Sequence, residues 1–379
     1  MTGDTKNSAQ TRREFLSTSA GMALAASLAG ISPAAAEAAA SPRVPLRADA
    51  TKPRRIIIDT DPGVDDAMAI FLALRSPELK VEAITPVSGN VPLALTLPNA
   101  LRLIEIAGHP EIPVAAGAAV PLVRHLVTAS YVHGNNGLGG VEFPEPKIKP
   151  VKETASEIIR RIVRENPGEI TLVPIGPVTN IATALRSDPE IAKMIPAIVM
   201  MGGSISAGNI TPAAEFNLYV DPEAARAVFD SGIPITMVGL DVTRKVQLMD
   251  EHVAKLAAAE NPVSQAAAKI MRNAIDTVRK IGIGNGSMMH DPLAVASMID
   301  PEILTLRDYH IDIETAGEFT AGMTVAWAKG PVRVSPPMAE AGALPAERDT
   351  TFRPNCKVAV EVNPERFFNL LIPRLTQSS

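Results

Sequence analysis

The chain has 379 residues, 46% apolar and 20% charged, enough to bury a large core in one α/β domain or two smaller ones. A net charge of −5 gives no basic footprint for nucleic acid, and nine Phe, three Tyr and one Trp are too few for a base-stacking platform. The lone Cys356 excludes an intrachain disulfide and any multi-cysteine metal site, and reads as a small buried residue.

At the N-terminus, Arg12 and Arg13 precede an uncharged stretch, Phe15–Ala36, made mostly of Ala, Ser and Gly. It is too weakly apolar for a stable membrane anchor, and Ala34 with Ala36, or Ala38 with Ala40, fits a signal-peptidase site. The pattern resembles a twin-arginine export signal, so residues 1–40 are expected to be removed. Residues 41–379 are expected to form the folded domain of a periplasmic or secreted protein.

From Arg54 onward, short apolar runs alternate with segments of helical period. Strands are predicted over Arg54–Asp59, Lys80–Ser88, Glu169–Ile175, Ala197–Met201 and Pro234–Leu240. Helices are predicted over Asp65–Leu74, Pro98–Ala107, Thr154–Glu165, Val178–Arg186 and Pro222–Phe229. The segment Pro331–Arg353 reads as an exposed excursion, followed by a strand at Lys357–Val362 and a helix at Pro364–Leu371. Buried strands alternating with helices imply βαβ units, hence a single α/β domain with a mostly parallel sheet flanked by helices.

Ligands of such sheets bind beyond the carboxyl ends of the strands. There the chain places Asp59 and Asp61, then Asn90 in VSGN, VPIGPVTN, MGGSISAGN ending at Asn209, and Asp241. The first strand end, DTDPGVDDA, concentrates Asp59, Asp61, Asp65 and Asp66. Arg55 lies roughly 13 Å from Asp59 at the far end of the strand and cannot neutralise them. Two carboxylates about 6 Å apart repel by roughly 3 kcal/mol at an effective dielectric of about 20. Helix capping satisfies one or two of these acids and leaves the rest without a partner. A hard divalent cation accounts for them, since every ligand offered is oxygen and no Cys or His is near enough in sequence to suggest zinc. Mg2+ and Ca2+ remain, and the number of oxygens favours Ca2+.

DTDPGVDDA resembles the signature D-x-D-P-G-x-D-D-A of the inosine–uridine preferring nucleoside hydrolases. The likeness continues through VSGN, VHGNNGLGG, VPIGPVTNIATAL, MGGSISAGNITPAAEFNLYVDPEAA, MHDPLAVA and ERFFNLL, over about residues 54 to 374. It implies a Rossmann-like nucleoside hydrolase fold, cleavage of the N-glycosidic bond of ribonucleosides to free base and ribose, one Ca2+, and a homodimer or homotetramer. It also implies that Asp61, Asp66, Asp291 and the backbone carbonyl of Ile175 hold the metal, and that Asp61 is the general base for a calcium-bound water. Asp65, Asn90, Asn209, Glu215 and Asn217 would hold the ribose, and Asp59 would brace the loop. Direct attack by water implies inversion at C1′. For the leaving base, His290 is the first choice as proton or hydrogen-bond donor and His133 the second.

The chain departs from many relatives in three places. It reads Leu138-Gly139-Gly140 where LDG is common, it has no aromatic in the segment before His290, and it has Trp327 where an acid is common. Base recognition is therefore expected to lean on Phe216, Tyr131 and hydrogen bonds. Two rivals fit parts of the pattern. A haloacid-dehalogenase-type phosphohydrolase would use the D-x-D pair with Mg2+, but also needs a Lys and a second acidic pair. A periplasmic nucleoside- or ribose-binding protein would need two lobes and no carboxylate cluster.

Overall fold

The structure is a computed structural model describing residues 51–328 and 352–378. The export signal expected over residues 1–40 and nearly all of the Pro331–Arg353 excursion lie outside the described residues. The strands are β1 (Arg54–Thr60), β2 (Leu79–Pro86), β3 (Ile170–Pro174), β4 (Ile198–Met201), β5 (Ile235–Val238), β6 (Gln247–Leu248), β7 (Ser287–Met288), β8 (Leu304–Ile313), β9 (Thr324–Trp327) and β10 (Cys356–Val362). Eight of them form one sheet in the order β2-β1-β3-β4-β5-β10-β8-β9, and β6 pairs with β7 separately. The ladders are parallel from β2 through β10 and antiparallel from β10 to β8 and β9.

The run Ile56-Ile57-Ile58 shows why β1 lies inside this sheet. Side chains alternate across a strand, so Ile56 and Ile58 enter the core on one face and Ile57 the core on the other. All three are fully buried, and each such side chain stabilises the fold by about 1.5–3 kcal/mol. On the first face they meet the helices Val64–Leu74, Pro262–Lys280 and His290–Ile299; on the second, Ala155–Glu165, Thr179–Ser187 and Pro222–Phe229. The result is three layers, helix, sheet and helix. The chain runs from β1 outward to β2 and returns on the other side of β1 as β3. That reversal opens a crevice at the carboxyl end of β1, where the acids lie.

The predicted elements form, with shifted ends and one gap. Pro98 lies in the second turn of the Leu93–Ile106 helix, not at its start. It removes only the bond to the carbonyl four residues back. The sequence pattern predicts no element between Leu240 and Pro331, yet that stretch holds the helices Asp250–Ala258, Pro262–Lys280 and His290–Ile299 and the strands β6 to β9. In Pro262–Lys280 the buried positions recur at helical spacing, but five of them (Ala266, Ala267, Ala268, Ala274 and the small Ser264) give little hydropathy contrast. The antiparallel edge β8-β9 is the one part of the sheet that departs from the parallel pattern. Cys356 is buried on β10, where burial raises its thiol pKa. No helix among the described residues is long and apolar enough to cross a membrane.

Candidate active site

The turn after β1 is held by its own acids. Asp66, in the first turn of the Val64–Leu74 helix, accepts from Thr60 Oγ1 at 2.6 Å, Asp61 N at 3.2 Å, Gly63 N at 2.8 Å and Asn90 Nδ2 at 3.0 Å. Asp59 Oδ1 accepts from Thr85 Oγ1 and Asn180 Nδ2, each at 2.7 Å. Asp61 Oδ2 accepts from Asn90 N at 2.7 Å, whereas its Oδ1 is buried without a hydrogen-bond partner. Asp66 is thus tied to the chain through both oxygens, whereas Asp59 and Asp61 each keep one buried oxygen without a partner.

Two glycines make room for Asp61. A Cβ on Gly89 would lie 2.0 Å from Asp61 Oδ2, and one on Gly176 would lie 2.5 Å from Asp61 Oδ1. Gly89→Ala is therefore expected to displace the Asp61 carboxylate and lower activity by about 100-fold, the scale of a displaced reacting group. Far-UV circular dichroism should be retained; wild-type rates in the folded variant would contradict this account.

Asp65, Asp66 and Asp291 each bring an oxygen within 4.8 Å of the others, and all three are buried. Asp291 comes from the first turn of His290–Ile299, which packs against the Val64–Leu74 helix. Burial, then the Asp66 charge, raises the Asp65 carboxyl to about 7. Burial also holds Asp61 and Asp291 well above the usual carboxylate range, with neighbouring carboxylates adding to the rise. Burial raises Asp66 as well, opposed by the hydrogen bonds from Thr60 and Gly63. This donor set fits a hard cation: it is all oxygen, mutually repelling, and flanked by the unpartnered Oδ1 of Asp61. The cluster differs from the expected ligand set in including Asp65, while Asp61 lies beside it. The carbonyl of Ile175 accepts from Asn217 Nδ2 at 3.1 Å.

A cavity of about 450 Å3 opens above these acids. Its wall carries all five residues expected on ribose: Asp65, Asn90, Asn209, Glu215 and Asn217. Ile175, His133, His290, Asp291, Phe216 and Tyr131 line it too, while Asp59, Asp61 and Asp66 do not. Glu215 caps the Phe216–Val220 helix, accepting from Asn217 N, Leu218 N and Gly203 N, and burial still raises its carboxyl to about 7. Asn209 Oδ1 accepts from Phe216 N at 2.9 Å, which joins the two ends of NITPAAEFN. Tyr131 is 58% exposed, whereas Phe216 is buried in a small cluster with Ala129 and Val220.

His133 Nδ1 accepts from Val64 N at 3.1 Å, leaving Nε2 to carry the proton of the neutral ring. Burial, then the charge of His290, lowers His133 to about 3; burial, then Arg244, lowers His290 to about 4. Both rings are therefore neutral at pH 7. Sequence reasoning missed Arg244 on the wall, although the strand-end rule that singled out Asp241 also covers it. It also missed Val278, Ile283 and Met288, the aliphatic wall that the aromatic-free segment before His290 supplies. Gly139 has φ +67, in the left-handed region that favours glycine. Trp327, on β9, does not line the cavity.

Comparison with known proteins adds an independent finding. A family model described as inosine-uridine preferring nucleoside hydrolase matches residues 56–369. The pyrimidine-specific ribonucleoside hydrolase RihA of Photobacterium profundum is 48% identical over 273 residues, which cover 72% of this chain and 88% of that protein. Among solved structures, a plant nucleoside hydrolase has a TM-score of 0.79 at 36% identity, covering 86% of this chain and 100% of its own. The purine-preferring ribonucleoside hydrolase from Gardnerella vaginalis has a TM-score of 0.75 at 32% identity, covering 85% and 98%.

Proposed function

The chain belongs to the inosine-uridine preferring nucleoside hydrolase family and hydrolyses ribonucleosides to free base and ribose; from that premise we propose that it prefers pyrimidine ribonucleosides and works with Ca2+. The observation that carries this reading is the buried carboxylate floor beneath a cavity lined with ribose-type acceptors. A pyrimidine preference is supported by the name of the 48% identical relative and by the aliphatic wall of Val278, Ile283 and Met288. That wall gives a flat bicyclic purine little to stack on. The phosphohydrolase and binding-protein readings have no place in this family.

In the mechanism we assign, Asp65, Asn90, Asn209, Glu215 and Asn217 hold the ribose hydroxyls and fix the sugar over the floor. Asp66 and Asp291, with the Ile175 carbonyl, would hold the cation, joined by Asp61. When bound, the cation supplies charge neutralisation and Lewis acidity. Asp61 takes the proton of the attacking water, and Asp59 steadies the turn through Thr85 and Asn180. As the C1′–N bond breaks, its electron pair leaves with the base. Positive charge builds on the sugar, and the surrounding carboxylates stabilise it. His290, neutral, offers an N–H to the departing base; His133 stands on the same wall. Attack opposite the base inverts C1′.

The test is a nucleoside panel assayed for reducing sugar with and without a chelator. Uridine and cytidine should exceed inosine and adenosine in kcat/KM, with Ca2+ restoring chelated enzyme. Faster purine cleavage would overturn the substrate reading, and restoration by Mg2+ but not Ca2+ would overturn the metal.

We also propose that the protein is exported folded, on the strength of Arg12-Arg13 and the weakly apolar stretch after them. Changing Arg12 and Arg13 to Lys should hold the protein in the cytoplasm; continued export would sink this reading.

A further inference from the structure

His290 has a partner that the mechanism has not used. Its Nδ1 lies 2.7 Å from Thr243 Oγ1, and Thr243 is the last residue of the short Leu240–Thr243 helix after β5. Thr243 is fully buried. A buried hydroxyl is unfavourable unless hydrogen-bonded, and valine would fill the same space without that cost. The one hydrogen-bond partner of this hydroxyl among the described residues is His290.

The distance between the two is set by backbone. Met289 N donates to Val246 O at 2.9 Å, and Gln247 and Leu248 pair with Met288 and Ser287. Thr243 and His290 therefore stand at one end of a short antiparallel ladder that does not depend on their side chains. With Nδ1 turned to Thr243, the nitrogen left for the cavity is Nε2.

We propose that Thr243 is a positioning residue for the leaving group: its hydroxyl donates to His290 Nδ1, fixing the tautomer whose Nε2–H points at the departing base. Without that donor, the neutral ring can carry its proton on either nitrogen and can rotate. The same segment also ties down the sugar side of the cavity. Asp241 accepts from Ile205 N at 2.9 Å, and Arg244 donates to the carbonyls of Ala207 and Gly208 in the loop that leads to Asn209. Residues 241–244 thus place the base-facing His290 and the loop that presents Asn209 in one frame.

The inference rests on His290 serving the leaving base, and the experiment separates the two claims. T243V, T243S and H290A, alone and with T243V combined with H290A, are assayed on uridine and on 4-nitrophenyl ribofuranoside, whose leaving group needs little help. T243V should lower kcat on uridine by about 10- to 100-fold, as losses of histidine-orienting groups do. Its loss on the nitrophenyl substrate should be several-fold smaller, T243S should recover most of the uridine rate, and adding T243V to H290A should cost nothing more. Equal T243V losses on both substrates, no recovery in T243S, or additivity with H290A would overturn the role of Thr243 while leaving His290 in place. An equal H290A loss on both substrates would remove the role of His290 and that of Thr243 with it.

Discussion

Asp61→Asn is expected to lower kcat on uridine by about 10^3- to 10^4-fold at saturating Ca2+, the upper range for loss of a general base. The amide keeps an oxygen to accept from Asn90 N, so the turn after β1 retains its shape. What it loses is the Oδ1 that has no partner in the chain and the ability to take a proton. Taking one charge out of a group that already repels itself offsets the lost hydrogen-bond strength, so the melting temperature should change little. A rate for the Asp61→Asn enzyme within tenfold of wild type would reject Asp61 as the base. A lost rate together with a collapsed melting temperature would assign Asp61 to folding instead.

The second large effect is removal of the cation. Chelated protein should lose nearly all activity and, at neutral pH, much of its thermal stability. A ligand at about 100 times its Kd stabilises the native state by roughly 2.7 kcal/mol. The pH dependence has a definite sign. Burial raises Asp59, Asp65 and Glu215 to about 7 in the fold, from ordinary values of 3.8, 3.8 and 4.5. Between those limits these three acids bind more protons in the native state than in the unfolded chain, so their contribution falls as pH rises. His133 and His290, lowered to about 3 and 4 from 6.5, oppose this below about pH 6.5 but are two groups against three. Below about pH 4 the three acids are protonated in both states and contribute no penalty; above about pH 7 the penalty is complete. Chelated protein should therefore melt at a higher temperature near pH 5 than near pH 8, and added Ca2+ should flatten the difference. Scanning calorimetry at the two pH values, with and without chelator, reads this directly. A melting temperature that rises with pH in the chelated protein would contradict it.

The parts of the molecule that could be read from the sequence are those where one physical demand dominates. The triple isoleucine of β1 has to be buried on both faces, and four acids at its end need a partner, so strand, turn and crevice follow from DTDPGVDDA. Asn90 and Asn209 were legible because polar residues at strand ends collect at one edge of the sheet, whereas Glu215 and Asn217 came only with the family resemblance. The helix Pro262–Lys280 was not, because alanine buries well yet hardly marks a face. The aliphatic wall of the cavity was hidden for a related reason: Val278, Ile283 and Met288 look like ordinary core residues until the fold turns them toward the cavity. Thr243 gave even less signal, since its hydroxyl acquires meaning only from a histidine 47 residues further on.

Asp66 accepts four hydrogen bonds from Thr60, Asp61, Gly63 and Asn90. A lineage that abandoned hydrolysis would still be pressed to keep it, because folding demands that carboxylate whether or not any substrate is cleaved. Asp61 is held by a single hydrogen bond of this kind, from Asn90 N, and an amide there would keep it, so its second oxygen has no such protection. Among descendants of this fold, an intact Asp66 thus testifies to a preserved scaffold, and the fate of Asp61 separates working enzymes from silent copies.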